Sequence, residues 1–156
     1  MSAAQEAELN TDGRTSVLAT SVLVVFLLAM TVTIANVSLP QMQGSLSATR
    51  DQVAWVVTSF LVANAVGVPA TGWVTDRLGS RRLIIWGTFG FSLATLSCAL
   101  APNLELLVLS RALQGLLGAP LTPLTMALVL SMYPRHQHGL VTAIFGIGVT
   151  IGPIIA

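Results

Sequence analysis

Between Arg14 and Arg50 the chain carries no charged side chain, and Val17 to Leu39 inside that interval is almost wholly apolar. A helix needs about 20 apolar residues to cross the roughly 30 Å hydrocarbon core of a bilayer. In lipid its backbone N–H and C=O groups must bond to one another, because no water is present to take them. An interval of this length and composition therefore predicts a transmembrane helix. Gln52 to Thr75 and Leu83 to Leu104 are likewise free of charge, and the latter ends at Ala101, Pro102 and Asn103, a turn signal. A fourth run reaches Ser131 with Arg111 inside it, and Gly139 to Ala156 opens a fifth. The predicted spans are 17–39, 53–75, 83–101, 104–131 and an incomplete 139–156.

Composition excludes the competing classes. Only 8% of the 156 residues are charged, against about 25% in soluble domains. That leaves too little polar surface to face water, and the mean hydropathy of +0.82 agrees. The net charge of +1, with every basic residue an arginine, offers no footprint for nucleic acid. Cys98 is the single cysteine, so neither a disulfide framework nor a cysteine metal site is expected. The first span is not a secretory signal: Glu6, Glu8 and Asp12 precede it against Arg14 alone, and its apolar run exceeds the 7–15 residues of a signal core.

Arginines in short loops accumulate on the cytoplasmic side of a membrane. Across five alternating spans, Arg14, Arg77, Arg81, Arg82 and Arg135 fall on one side and Arg50 on the other. The expected protein is all-α, a multi-pass bundle in the plasma (inner) membrane with a cytoplasmic N-terminus. Residues 1–14 are expected to be a disordered tail and 15–156 a partial transmembrane domain.

Polar residues inside or beside the spans carry the chemistry. Gly72, Asp76, Arg77, Gly79, Arg81 and Arg82 surround the loop between the second and third spans. Charge alone reads them as an ordinary positive inner loop. Arg111 is buried about 12 Å into the fourth span, where a guanidinium costs a few kcal/mol or more without a cavity or partner. It either serves function or snorkels toward a helix end. Gln114, three residues on, shares its helix face. Gly115 with Ala119, and Gly148 with Gly152, are small-xxx-small pairs that by themselves mean close helix packing. His136 and His138 have metal-like spacing but no third ligand nearby and read as solvated loop residues. Glu105 lies six residues from Arg111, off its face, at the end of the span.

In this order and setting, the loop residues resemble the loop 2-3 signature of the major facilitator superfamily, with Ser80 standing where a basic residue is usual. The run Leu109 to Gly115 resembles that superfamily's helix 4 motif, whose Arg and Gln are linked to proton coupling; here they are Arg111 and Gln114. Gly146, Gly148, Gly152 and Pro153 look like the start of its antiporter glycine-proline motif. Thr33 to Pro40 with Trp55 to Phe60, Pro69 and Trp73 is similar to the fourteen-helix multidrug:proton antiporters of the EmrB/QacA type. That subfamily has an Asp five residues before the Asn equivalent to Asn36, and here the position is Thr31, which cannot titrate. Thr31 and Asn36 are the expected polar face of helix 1.

The resemblance implies the first four helices and most of a fifth of a secondary transporter, as an N-terminal fragment. Small hydrophobic or cationic compounds would leave against entering protons. The implied partners are the bilayer, the small-molecule substrate, protons and a periplasmic adaptor protein, with no cofactor, metal or catalytic residue. The alternatives are a facilitator or symporter of sugars, amino acids or lipids on the same fold, or a non-transporting truncated membrane polypeptide. The topology has a direct check in cysteine replacements at Ser47 and Ser80, exposed to an impermeant thiol reagent on intact cells. Position 47 should label and position 80 should not; the opposite pattern reverses the orientation.

Overall fold

The computed structural model describes residues 3–45 and 49–155. They form six α-helices and one short 3-10 turn at Arg135–Gln137, with no strand among the described residues. Helix α1 runs Ala3–Ser45, α2 Arg50–Leu78, α3 Ser80–Ala99, α4 Leu104–Gly118, α5 Leu121–Met132 and α6 His138–Ile155. Five segments are long and apolar enough to cross a membrane: 13–38, 50–78, 80–99, 104–132 and 135–155. The fold is all-α.

Local sequence explains where the helices begin and end. Thr49 and Gln52 make a reciprocal capping box at the start of α2: the Thr49 N–H donates to Gln52 Oε1 at 2.9 Å, and the Gln52 N–H to Thr49 Oγ1 at 3.4 Å. The helix stops at Gly79, whose φ of +81° suits a residue without Cβ and whose N–H closes on the Thr75 carbonyl at 2.8 Å. Asn103 caps α4 by accepting the Leu106 N–H at 2.9 Å, so the expected Pro102 turn is also a helix start.

Two elements differ from the sequence reading. Residues 1–2 lie outside the description, but from Ala3 onward the tail expected to be disordered is the first part of α1. Its Ala, Gln, Glu and Leu residues are good helix formers, and extending an existing helix costs far less than nucleating one. The fourth span, expected as one helix over 104–131, is broken between Gly118 and Leu121. Pro120 has no N–H to give the Leu116 carbonyl. With α5 starting at Leu121, Pro123 falls in its first turn, where a missing N–H costs nothing.

The chain divides into two compact units, Met1–Thr31 with Thr125–Ala156, and Val32–Leu124. In the second unit α4 packs against both α2 and α3, while α2 and α3 touch each other lightly. In the first unit α6 lies against the middle of α1, with Gly152 under the Phe26 carbonyl, the Ala29 side chain and the Met30 N–H, and Gly148 against Val22. Helix α3 shows what surrounds the protein. Its buried side is Gly87, Phe91 and Ala94, yet Ile85, Trp86, Phe89, Leu93, Leu96 and Leu100 lie exposed on the other side. A helix apolar on every face requires an apolar medium outside the bundle as well as within it.

The α2 and α4 backbones come close at Gly115, where an added Cβ would strike the Phe60 carbonyl. Backbone on both sides leaves nothing flexible to yield. Gly115→Ala should therefore lower the melting temperature of the detergent-purified protein, by an amount equivalent to about 1–3 kcal/mol. Gly139→Ala, with nothing within 4 Å of the new carbon, should leave it nearly unchanged.

Candidate functional site

Leu107, Ser110, Arg111, Gln114, Gly115 and Gly118 are the buried residues of α4, spaced at three and four like one helical stripe. The two neighbouring helices treat this stripe differently. From α2, Ser59 Oγ donates to the Val108 carbonyl at 3.2 Å and Asn64 Nδ2 to the Gly115 carbonyl at 3.3 Å, so polar side chains fasten the α2–α4 seam to the backbone. From α3, Gly87 and Gly90 leave room for Leu121 and Leu117. Farther along α3 comes Thr95, which meets the polar part of the stripe.

Arg111 is 6% exposed although it sits about two turns into an apolar helix. Its Nη1 donates to Gln114 Oε1 at 2.9 Å. Gln114, fully buried, passes the connection on: Nε2 donates to Thr95 Oγ1 at 2.6 Å, and that hydroxyl donates to the Phe91 carbonyl at 2.8 Å. The guanidinium is thus held inward rather than snorkelling to a helix end. Its Nε is buried with no hydrogen-bond partner among the described residues. The acidic side chains described, Asp51, Asp76 and Glu105, are all exposed and lie at helix ends, so none of them neutralises this cation. A buried cation in an apolar span is stabilised by any negative charge brought near it.

The sequence reading paired Arg111 with Gln114 and missed Thr95. The periodicity signal was available: Phe91 and Ala94 are the buried side of α3, and Thr95 continues it one residue on. Thr and Ser are frequent in these helices, however, and most turn their hydroxyls back to the carbonyl four residues earlier, as Thr20, Thr58 and Thr150 do. Nothing local distinguishes a hydroxyl that also receives a bond from another helix.

Around the loop between α2 and α3, Asp76, Arg77, Arg81 and Arg82 are exposed, and nothing described lies within 4 Å of a Cβ built on Gly72. The Arg77 guanidinium stacks over the Trp73 ring at 4.0 Å. Thr31 and Asn36 do not share a face. Thr31 is half-buried and donates to the Leu27 carbonyl at 2.7 Å, whereas Asn36 is exposed, because five residues turn a helix by about 140°. The glycine-proline group splits as well: Gly148 and Gly152 pack on α1, while Gly146 and Pro153 lie together on the exposed side of α6. His138 Nε2 donates to the Tyr133 carbonyl at 2.9 Å across the 3-10 turn, and His136 is exposed.

A membrane bundle with an inward-held arginine on its fourth span invites comparison with known carriers. The family model described as Major Facilitator Superfamily matches residues 21–156. The chain belongs to that superfamily. This superfamily chain is 37% identical over 132 residues to the multidrug export protein EmrB of Escherichia coli K12, covering 85% of its own length and 26% of the relative's. It is 41% identical over 133 residues to the fatty acid resistance protein FarB of Neisseria gonorrhoeae, with the same coverage of 85% and 26%. A multidrug resistance protein B homolog of Mycobacterium tuberculosis H37Rv is 36% identical over 123 residues, 79% of this chain and 23% of that one. The chain thus spans about a quarter of the length of these relatives. Its five apolar spans and its superfamily make it part of a multi-pass integral membrane protein.

Proposed function

We propose that these helices belong to a proton-coupled exporter of small hydrophobic or cationic compounds in the plasma (inner) membrane, with the N-terminus in the cytoplasm. The observation that carries this reading is the Arg111–Gln114 pair, a cation kept deep in an apolar span by hydrogen bonds rather than by a carboxylate. A fixed cation favours the ionised form of any acid brought near it, and so governs when that acid takes or gives up a proton. Thr31 cannot be that acid, and on this reading the rest of the transporter supplies it. Relatives named for multidrug export and for fatty acid resistance support this substrate class. Protons are then the co-substrate, and a periplasmic adaptor protein is the partner that the likeness to EmrB suggests.

The remaining residues take subordinate roles. Gly72, Asp76, Arg77, Gly79, Arg81 and Arg82 form a switch loop whose exposed Asp76 is available to another segment as the transporter changes state. Gly148 and Gly152 allow the tight α1–α6 contact, and Gly146 and Pro153 give α6 a second small-residue face. The facilitator reading keeps one observation in its favour, the hydroxyl at position 31 where a titrating acid is usual.

Transport in proteoliposomes reconstituted with the full-length protein separates the two. With a pH gradient imposed, the wild type should move substrate uphill. Arg111→Ala should lose that uphill movement while keeping downhill exchange, since the coupling charge is gone and the cavity remains. Full gradient-driven efflux by Arg111→Ala would make the arginine structural. Asp76→Asn should slow both transport modes several-fold at equal expression, because the switch rather than the coupling is affected.

A further inference from the structure

The hydrogen bonds around Gln114 can run in one sense only. The Thr95 hydroxyl has one proton, and that proton is committed to the Phe91 carbonyl at 2.8 Å. Toward Gln114 it can therefore only accept, at 2.6 Å. An amide offers N–H on one side and C=O on the other, so a Gln114 that gives its N–H to Thr95 must present its oxygen to Arg111. With the amide turned over, its N–H would face the Arg111 donors and its oxygen would face a hydroxyl whose proton is already spent. The Arg111 contact would be lost outright, and Thr95 could bond to the oxygen only by giving up the Phe91 carbonyl, in a place where Gln114 is fully buried.

We propose that Thr95 is the positioning residue of the Arg111 site: by accepting the Gln114 amide N–H, it turns the Gln114 oxygen onto the guanidinium and fixes the direction in which Arg111 presents its uncommitted Nε. The inference rests on the proton-coupling reading for its effect on transport, but its hydrogen-bond content stands apart from it. Without Thr95, the Gln114 oxygen would be held by Arg111 alone, and the guanidinium would lose its link to α3. Few other charges bear on the cluster. Cys98, half-buried three residues beyond Thr95, is the titratable group that α3 brings near Arg111. The charged residues of α2, namely Arg50, Asp51, Asp76 and Arg77, lie at its two ends, and Glu105 sits exposed at the start of α4.

Two measurements on the full-length protein test this. In proteoliposomes, Thr95→Val keeps the shape of the side chain but removes the acceptor. It should lower gradient-driven efflux about tenfold and displace its pH profile, with downhill exchange within about twofold of wild type; a hydrogen bond to a buried charged network is worth a loss of this order. Thr95→Ser restores the hydroxyl and should return both the rate and the profile. Wild-type behaviour of Thr95→Val, or a Thr95→Ser as impaired as the valine, overturns the proposal. The second measurement is a thermal-stability cycle in detergent. Gln114→Met keeps the length of the side chain but has neither an N–H nor an oxygen for Thr95, so Thr95→Val should cost several degrees in the Gln114 background and much less beside Gln114→Met. Additive losses overturn the proposal. If the wild type shows no gradient-driven efflux, the coupling reading falls, and the stability cycle alone decides whether Thr95 orients Gln114.

Discussion

A guanidinium placed about two turns inside an apolar helix has to find hydrogen-bond acceptors within the protein, and the packing of the α2, α3 and α4 unit follows from that requirement. Arg111 cannot shed its charge. Its acceptor is the Gln114 oxygen, and Gln114 is held by Thr95 on a different helix, so α3 must lie against α4 at a fixed register. The other flank is closed by α2, drawn in until the Phe60 carbonyl meets Gly115 and fastened by Ser59 and Asn64. Small residues and polar side chains act together here: the glycine permits the distance, and the side-chain hydrogen bonds give the contact its direction.

The outer faces obey a different rule. Helix α3 turns Trp86 and its large aliphatic neighbours outward and keeps Gly87, Phe91 and Ala94 inward. Hydrophobic burial cannot sort such a helix, since lipid is as apolar as leucine. What distinguishes its two sides is size and hydrogen bonding, with small groups and Thr95 toward the protein and bulk toward the tails.

Much of this was legible in the sequence because charge depletion and length are strong signals in a membrane. The spans follow from the gaps between Arg14, Arg50, Arg77 and Arg135, and Arg111 stands out because nothing else charged lies so deep. What could not be read depends on facing and on three-dimensional neighbours. Thr31 and Asn36 were grouped as polar residues of one helix, yet their angular separation puts them on different sides. Gly146 and Gly148 look like one motif in the linear text and point to opposite sides of α6. The break at Pro120 was missed because a proline inside an apolar run is compatible with either a kink or a restart, and the choice depends on where Pro123 falls in the next turn. Thr95 was hidden among many back-bonded hydroxyls.

The Arg77–Trp73 stack, described above as a ring contact, also sets a depth. An indole prefers the boundary between headgroups and tails, and a cation resting on its face is held at that same level. This end of α2 thus carries a float: sinking the helix by one turn would drag a charge into the tails, and raising it would pull the indole into water. A tilt of α2 that keeps both groups at the boundary turns about that end and does not slide the helix along its axis.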